Sequence, residues 1–187
     1  LATNLKSGKE KILYPVDNNQ DSDLSRQATA AIYADKSCTV ETADGPVFLH
    51  VFNPPLRMIL IGAVHIAQPL AAMAAMAGYD VVVVDPRRAF ASAARFPGVE
   101  IRNDWPDEAL EDLSLNLRTA IVTLTHDPKL DDPALQVALR SDAFYIGSLG
   151  SKKTHRTRIA RLTEAGFDAN TIGRIHGPVG LSIGATS

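Results

Sequence analysis

From residue 57 onward the chain alternates short apolar runs with stretches of helical composition. Arg57 to Ile61 and Tyr79 to Val84 are mostly apolar runs on either side of a helical segment from Ile66 to Ala77. A strand exposed on one face alternates apolar with polar positions, so runs without alternation point to a parallel sheet covered by helices on both sides. Both helix ends are marked. Pro69 falls in the first turn, where a missing amide hydrogen costs little, and Gly78 stands where a left-handed cap belongs. The three segments form a βαβ unit.

The alternation continues with a strand near Val99 to Ile101, a helix from Pro106 to about Leu113 and a strand from Thr119 to Leu124. A helix near Pro133 to Leu139, a strand from Ala143 to Ile146 and a helix from about Lys152 to Leu162, closing at Gly166, come next. A last strand is expected near Ile172 to Ile175. Right-handed crossovers arrange such strands as an open doubly wound sheet of order 3-2-1-4-5-6, with its ligand crevice at the carboxyl ends of the strands. The expected class is therefore α/β, a Rossmann-like doubly wound parallel sheet with a small N-terminal α+β appendage.

The appendage precedes Asn53-Pro54-Pro55, where two prolines remove backbone donors and break any regular element. Leu1 to about Gln20 is polar, and its Asp17-Asn18-Asn19-Gln20-Asp21 run reads as loop or linker. Leu24 to Ala34 suits a short helix. Cys38 to Glu41 and Val47 to Phe52, flanking Ala43-Asp44-Gly45-Pro46, suit a hairpin. The expected organisation is a small region over 1–56 and a cofactor-binding domain over 57–187.

Composition narrows the function classes. A chain of 187 residues with 45% hydrophobic and 21% charged residues suits one compact domain plus an appendage and excludes a disordered or fibrous class. Net charge is -2 with both signs interspersed, so no nucleic-acid partner is expected. Cys38 is the single cysteine, which excludes an internal disulfide framework and fits a reducing, cytoplasmic setting. No apolar run approaches the roughly 20 residues that span a bilayer, and no signal peptide is visible, so no membrane association is expected. The missing initiator Met suggests an incomplete N-terminus.

Candidate chemistry collects in the loops after the strands. Gly62-Ala63-Val64-His65-Ile66-Ala67 occupies the position of a dinucleotide fingerprint, with Gly62 at the tight turn but Val64 in place of the second glycine. It either binds an anion at the helix start or is only a tight turn. Asp85 closes the second strand near the spacing of about 20 residues at which an acid bonds a ribose hydroxyl. Arg87, two positions on, serves an anionic ligand or pairs with that acid. Thr125-His126-Asp127 follows the fourth strand, so His65 and His126 either meet a ligand at the switch point or sit partly buried and hydrogen-bonded. These groups are too few for a metal site.

Gly147-Ser148-Leu149-Gly150-Ser151-Lys152-Lys153 is the most distinctive turn. Its glycines can aim successive amides at an anion, while Ser148, Ser151 and Lys152 add donors at a positive helix end. Alternatively Lys152, Lys153, His155, Arg156 and Arg158 form a solvated helix face. Gly177-Pro178-Val179-Gly180-Leu181-Ser182-Ile183-Gly184 either crosses the crevice or finishes the fold along an edge.

Taken in order, the Gly62 to Ala67 loop, Asp85-Pro86-Arg87, Leu124-Thr125-His126-Asp127, Tyr145 to Ser151 and Pro178-Val179-Gly180-Leu181 resemble the xanthine dehydrogenase accessory protein (XdhC/CoxI) family over about Arg57 to Ser187. The resemblance implies a Rossmann-like domain of the kind often described as NAD-binding. It also implies a chaperone that binds molybdenum cofactor (molybdopterin), protects it during sulfuration and delivers it to a molybdenum hydroxylase client. A cysteine desulfurase and a homodimer are further expectations. On this reading no catalytic residue is needed, and the cofactor is met by Gly62, His65, Asp85, Arg87, His126 and Asp127 on one side and by Gly147, Ser148, Gly150, Ser151 and Lys152 on the other. The alternatives are an NAD(P)-binding oxidoreductase and a nucleotide-sensing regulatory module, because fold does not fix function.

Overall fold

A computed structural model describes residues 1–14, 22–181 and 183. The chain forms two compact units, Leu1–Pro54 and Pro55–Ser187. The linker reading of the run around Asn18 and Asn19 lies outside the described residues.

In the first unit, strands β1 (Ala2–Asn4), β2 (Glu10–Lys11), β3 (Cys38–Thr42) and β4 (Gly45–Leu49) form an antiparallel sheet in the order β2-β1-β4-β3. The expected hairpin is present: Cys38 faces Leu49 and Thr42 faces Gly45, leaving Ala43 and Asp44 as a two-residue turn. Helix α1 (Asp23–Tyr33) starts where the Ser22 side chain accepts the Ser25 amide hydrogen. Its Ala28 and Ala31 pack with Val47 and Leu49. The polar stretch before residue 20, for which no element was expected, supplies β1 and β2. Strands of three and two residues carry too few positions for any alternation to be read.

The second unit is built on β5 (Arg57–Ile61), β6 (Asp80–Val84), β7 (Glu100–Arg102), β8 (Thr119–Thr123), β9 (Tyr145–Ser148) and β10 (Ile175–His176), all parallel. Their order is β10-β9-β8-β5-β6-β7, the doubly wound arrangement expected from the sequence. Helix α2 (Ala67–Met76) covers one face, its Ala67, Ala71 and Ala74 packed with Leu60 and Val83. Helices α3 (Pro106–Asp112), α4 (Pro128–Arg140), α5 (Lys152–Glu164) and the short α6 (Ala169–Ile172) cover the other, against Ile59, Ile61, Ile121 and Ile146. The central strands are buried on both faces, which is why their sequence lacks alternation.

Two elements depart from expectation. Helix α4 begins at Pro128 instead of Pro133, because the Asp127 side chain accepts the Lys129 amide hydrogen and Pro128 suits the first helical position. The stretch expected as a strand from Ile172 is the end of α6, started by Asp168 capping Thr171, and the strand begins only at Ile175.

Candidate cofactor site

Three turns leave the carboxyl ends of β5, β8 and β9 and meet at the edge of the sheet. Because β8 lies between the other two strands, its turn touches both neighbours. Gly62 has φ of 108°, and a Cβ placed on it would lie 2.4 Å from Thr125 Cγ2. A Cβ on Gly150 would lie 3.2 Å from Thr154 and 3.8 Å from His126 Nδ1. Glycine at 62 is therefore demanded by the close approach of the next turn as well as by backbone conformation.

The first turn is held by Asp85, which is fully buried. Its carboxylate accepts the Ala63 amide hydrogen at 2.8 Å, the Arg87 amide hydrogen at 2.9 Å, and Arg87 Nε and Nη2 at 2.8 and 2.7 Å. Burial alone would raise the pKa, but the hydrogen bonds from Arg87 and Ala63 outweigh it and hold the carboxyl below its ordinary value. The acid expected to meet a ribose hydroxyl thus has both oxygens engaged by protein. Arg87 is similarly committed, with its guanidinium 4.7 Å from the centre of the Phe90 ring. The Gly62 amide donates to Val84 O at 2.8 Å. Among the described residues, the Val64 and His65 amides, which follow in the same turn, have no protein acceptor. These two, and not Gly62, are the donors this turn presents.

In the turn after β8, His126 adopts a φ of 63° and is exposed. His65 is exposed as well, so of the two readings open for these histidines the partly buried, hydrogen-bonded one does not hold. The conformation at His126 is fixed from below by Asp131 in the first turn of α4. Asp131 accepts from Thr125 Oγ1 at 2.6 Å and from the amides of Thr125 and His126 at 3.3 and 3.1 Å. Burial pushes the Asp131 carboxyl up from its ordinary value despite those bonds and the nearby Arg158. Asp127 caps α4, its side chain accepting from the Lys129 amide at 2.9 Å.

The glycine-rich turn after β9 divides into a structural half and an open half. A Cβ on Gly147 would lie 2.9 Å from Tyr145 and from Val179, and the buried Ser148 hydroxyl sits 2.5 Å from Thr123 Oγ1. Neither residue presents a free donor to the crevice. Ser151 caps α5, accepting the Thr154 amide hydrogen at 3.1 Å. Lys152 opens that helix and is exposed, and the Gly150 amide has no protein acceptor among the described residues. The segment after β10 joins this side of the sheet, the Val179 amide donating to Ser148 O at 3.0 Å.

Among the described residues no group of three or more His, Cys, Asp or Glu side chains could hold a metal ion. Two residues matter that sequence reasoning passes over. Asp131 lies four positions after the capping Asp127, and once α4 is started there it falls in the first turn. Arg158, for which a solvated helix face was one of the readings, is only 2% exposed. It shares the inward stripe of α5 with Leu162, four residues on, and that spacing was legible.

Residues 58–187 match the family model of the XdhC Rossmann domain. The chain belongs to this family. Among curated relatives, the molybdenum cofactor insertion chaperone PaoD of Escherichia coli K12 is 32% identical over 130 residues, covering 70% of this chain and 35% of PaoD. A Bacillus subtilis protein named as a probable subunit of xanthine dehydrogenase is 30% identical over 141 residues, covering 74% of this chain and 40% of that protein. The chain thus spans two fifths or less of the length of these two relatives. A crystal structure described as a xanthine dehydrogenase from Bacillus halodurans superposes with a TM-score of 0.63 at 25% identity, covering 89% of this chain and 60% of that one.

Proposed function

We propose that this XdhC-family chain is the cofactor-holding part of a maturation factor for a molybdenum hydroxylase such as xanthine dehydrogenase. Its carboxyl-edge turns bind molybdenum cofactor through the cofactor's phosphate end and release it to the client. The reading is supported by a relative named as a molybdenum cofactor insertion chaperone. The observation that carries it is the convergence of the turns at Gly62, His126 and Gly150, with the Val64, His65 and Gly150 amides free of protein acceptors among the described residues.

Backbone amides at the start of α2 and beside α5 favour an anion because they supply donors and a positive helix end together. Lys152 adds an exposed positive charge beside the second set. His65 and His126 are placed to orient polar groups of the pterin. No covalent step is asked of the chain, and an accessory factor must let its cargo go, so moderate affinity serves it. The dinucleotide alternative is weaker, because both oxygens of Asp85 are taken by Ala63 and Arg87. A cysteine desulfurase, a second copy of the chain and a cytoplasmic setting complete the proposal. No helix among the described residues is long and apolar enough to cross a membrane.

The test is reconstitution of a cofactor-free molybdenum hydroxylase with molybdenum cofactor, with and without this protein. Faster recovery of hydroxylase activity with the wild-type chain, lost with Gly150→Asp, supports the proposal. Equal recovery without the chain contradicts it.

A further inference from the structure

The start of α4 and the first turns of α5 enclose a cavity of about 220 Å³, lined on the α5 side by Lys153, Thr157, Arg158 and Arg161 and on the α4 side by His126 and Asp131. That volume is far above the ~15 Å³ one water needs, and it falls below the roughly 300–1,000 Å³ of a site for a whole drug-sized ligand. It suits one compact polar group.

Arg158 is the unusual member. It is 2% exposed, yet its Nε and Nη1 have no hydrogen-bond partner among the described residues. Its Nη2 donates to Leu149 O at 3.1 Å and lies 3.6 Å from Asp131. Buried guanidinium donors are ordinarily satisfied, because the group gives up its water on folding. Asp131 does not satisfy them: its oxygens accept from Thr125 and His126, and the guanidinium nitrogen paired with it is Nη2, at 3.6 Å. Arg161 is held by Asp132 through Nη2 at 3.0 Å and through a second, Nε contact. The lining therefore carries three cations against the single carboxylate of Asp131, with Asp132 balancing Arg161. Lys153 is exposed at the rim.

We propose that this cavity is an oxyanion site that takes a phosphate group, with Arg158 as the buried anchor and Lys153 as the rim charge. The Thr157 hydroxyl, which donates to Lys153 O at 3.3 Å, lines the same wall and can accept from a protonated phosphate oxygen. The phosphate is either free in solution or the terminus of a larger molecule, and the chemistry recognised is the same. The cavity borders the cofactor site and shares His126 with it. Its donors are side chains of α5 and not the backbone amides of the glycine-rich turn, and its test uses no molybdenum cofactor.

The test is titration of the purified chain with inorganic phosphate, a nucleoside monophosphate and acetate, followed by calorimetry. Saturable phosphate binding is expected, weakened about tenfold or more by Lys153→Glu, an exposed change that spares the core. Arg158→Lys, which keeps charge but loses the guanidinium fork, is expected to weaken it as well, with circular dichroism confirming that the variant folds. Arg156→Glu, an exposed charge change outside the cavity lining, is expected to leave it unaltered. Tighter binding of the monophosphate than of phosphate identifies a terminal phosphate, equal binding a free one, and either supports the site. No saturation up to about 1 mM phosphate, equal binding of acetate, or equal weakening by Arg156→Glu would overturn it.

Discussion

The Asp85 carboxylate accepts the amide hydrogen of Ala63 at 2.8 Å, so the acid at the end of β6 closes the turn that follows β5. In a dinucleotide-binding fold the acid at this place faces the ligand. Here it is turned inward, joined to Arg87, and serves the shape of the turn. Asp85→Ala would leave the Ala63 amide and the Arg87 guanidinium without their acceptor in a buried setting. The expected loss is about 3 kcal/mol of unfolding free energy, read by urea denaturation, because orphaned buried partners cost more than the net worth of their bonds.

The same group sets an acid dependence. Its folded-state pKa lies below the ordinary 3.8, so the stability it contributes is complete above 3.8 and is lost as pH falls through the folded value. Asp131 works in the opposite sense. Burial holds it above 3.8, so between 3.8 and its folded value the native state binds the extra proton and stability falls as pH rises. Urea midpoints measured from about pH 2 to 6 are expected to show a shallower acid loss in Asp85→Asn and a steeper net rise with pH in Asp131→Asn.

Gly62 and Thr125 form a steric pair that can be taken apart. Gly62→Ala is expected to destabilise by roughly 2–4 kcal/mol, partly from a positive φ and partly from the Thr125 methyl. Thr125→Ser removes that methyl while keeping the hydroxyl that bonds Asp131. In the double variant the steric share is expected to return and the backbone share to remain, so the two changes should be clearly non-additive in a double-mutant cycle.

Much of this fold was legible because its determinants are local or periodic. The unbroken Val81 to Val84 run announced a strand buried on both faces, and Pro69 with Gly78 bracketed α2. The start of α4 lies before the position expected from Pro133, although the sequence carries its signal: Asp127-Pro128 is a cap followed by a first-turn proline. At the site, the positions of the turns followed from the topology, but their hydrogen bonds did not. Whether Asp85 faces a ligand or Ala63, and whether Ser148 faces a ligand or Thr123, depends on side-chain packing between strands distant in sequence. Arg158 was hidden for a different reason, since a charged residue among Lys152, Lys153 and Arg156 looks solvated until the Leu162 spacing is counted.

The Thr123 and Ser148 hydroxyls, 2.5 Å apart and both buried, join β8 to β9 beneath the glycine-rich turn. Ser148→Ala is expected to cost about 1–2 kcal/mol by leaving the Thr123 hydroxyl unpaired. A Thr123→Val, Ser148→Ala double change removes both polar groups and should recover part of that loss. Cofactor affinity is expected to stay at the wild-type level in both variants, since neither hydroxyl reaches the crevice.

The most direct measurement is an anaerobic titration of the chain with molybdopterin, followed by absorbance and repeated with Gly150→Asp and Lys152→Glu. The proposed role requires saturable binding by the wild-type protein that falls about tenfold or more in each variant while thermal unfolding shows both still folded. Binding that is absent in the wild type, or that survives unchanged in both variants, would contradict a cofactor held at the turns of the carboxyl edge.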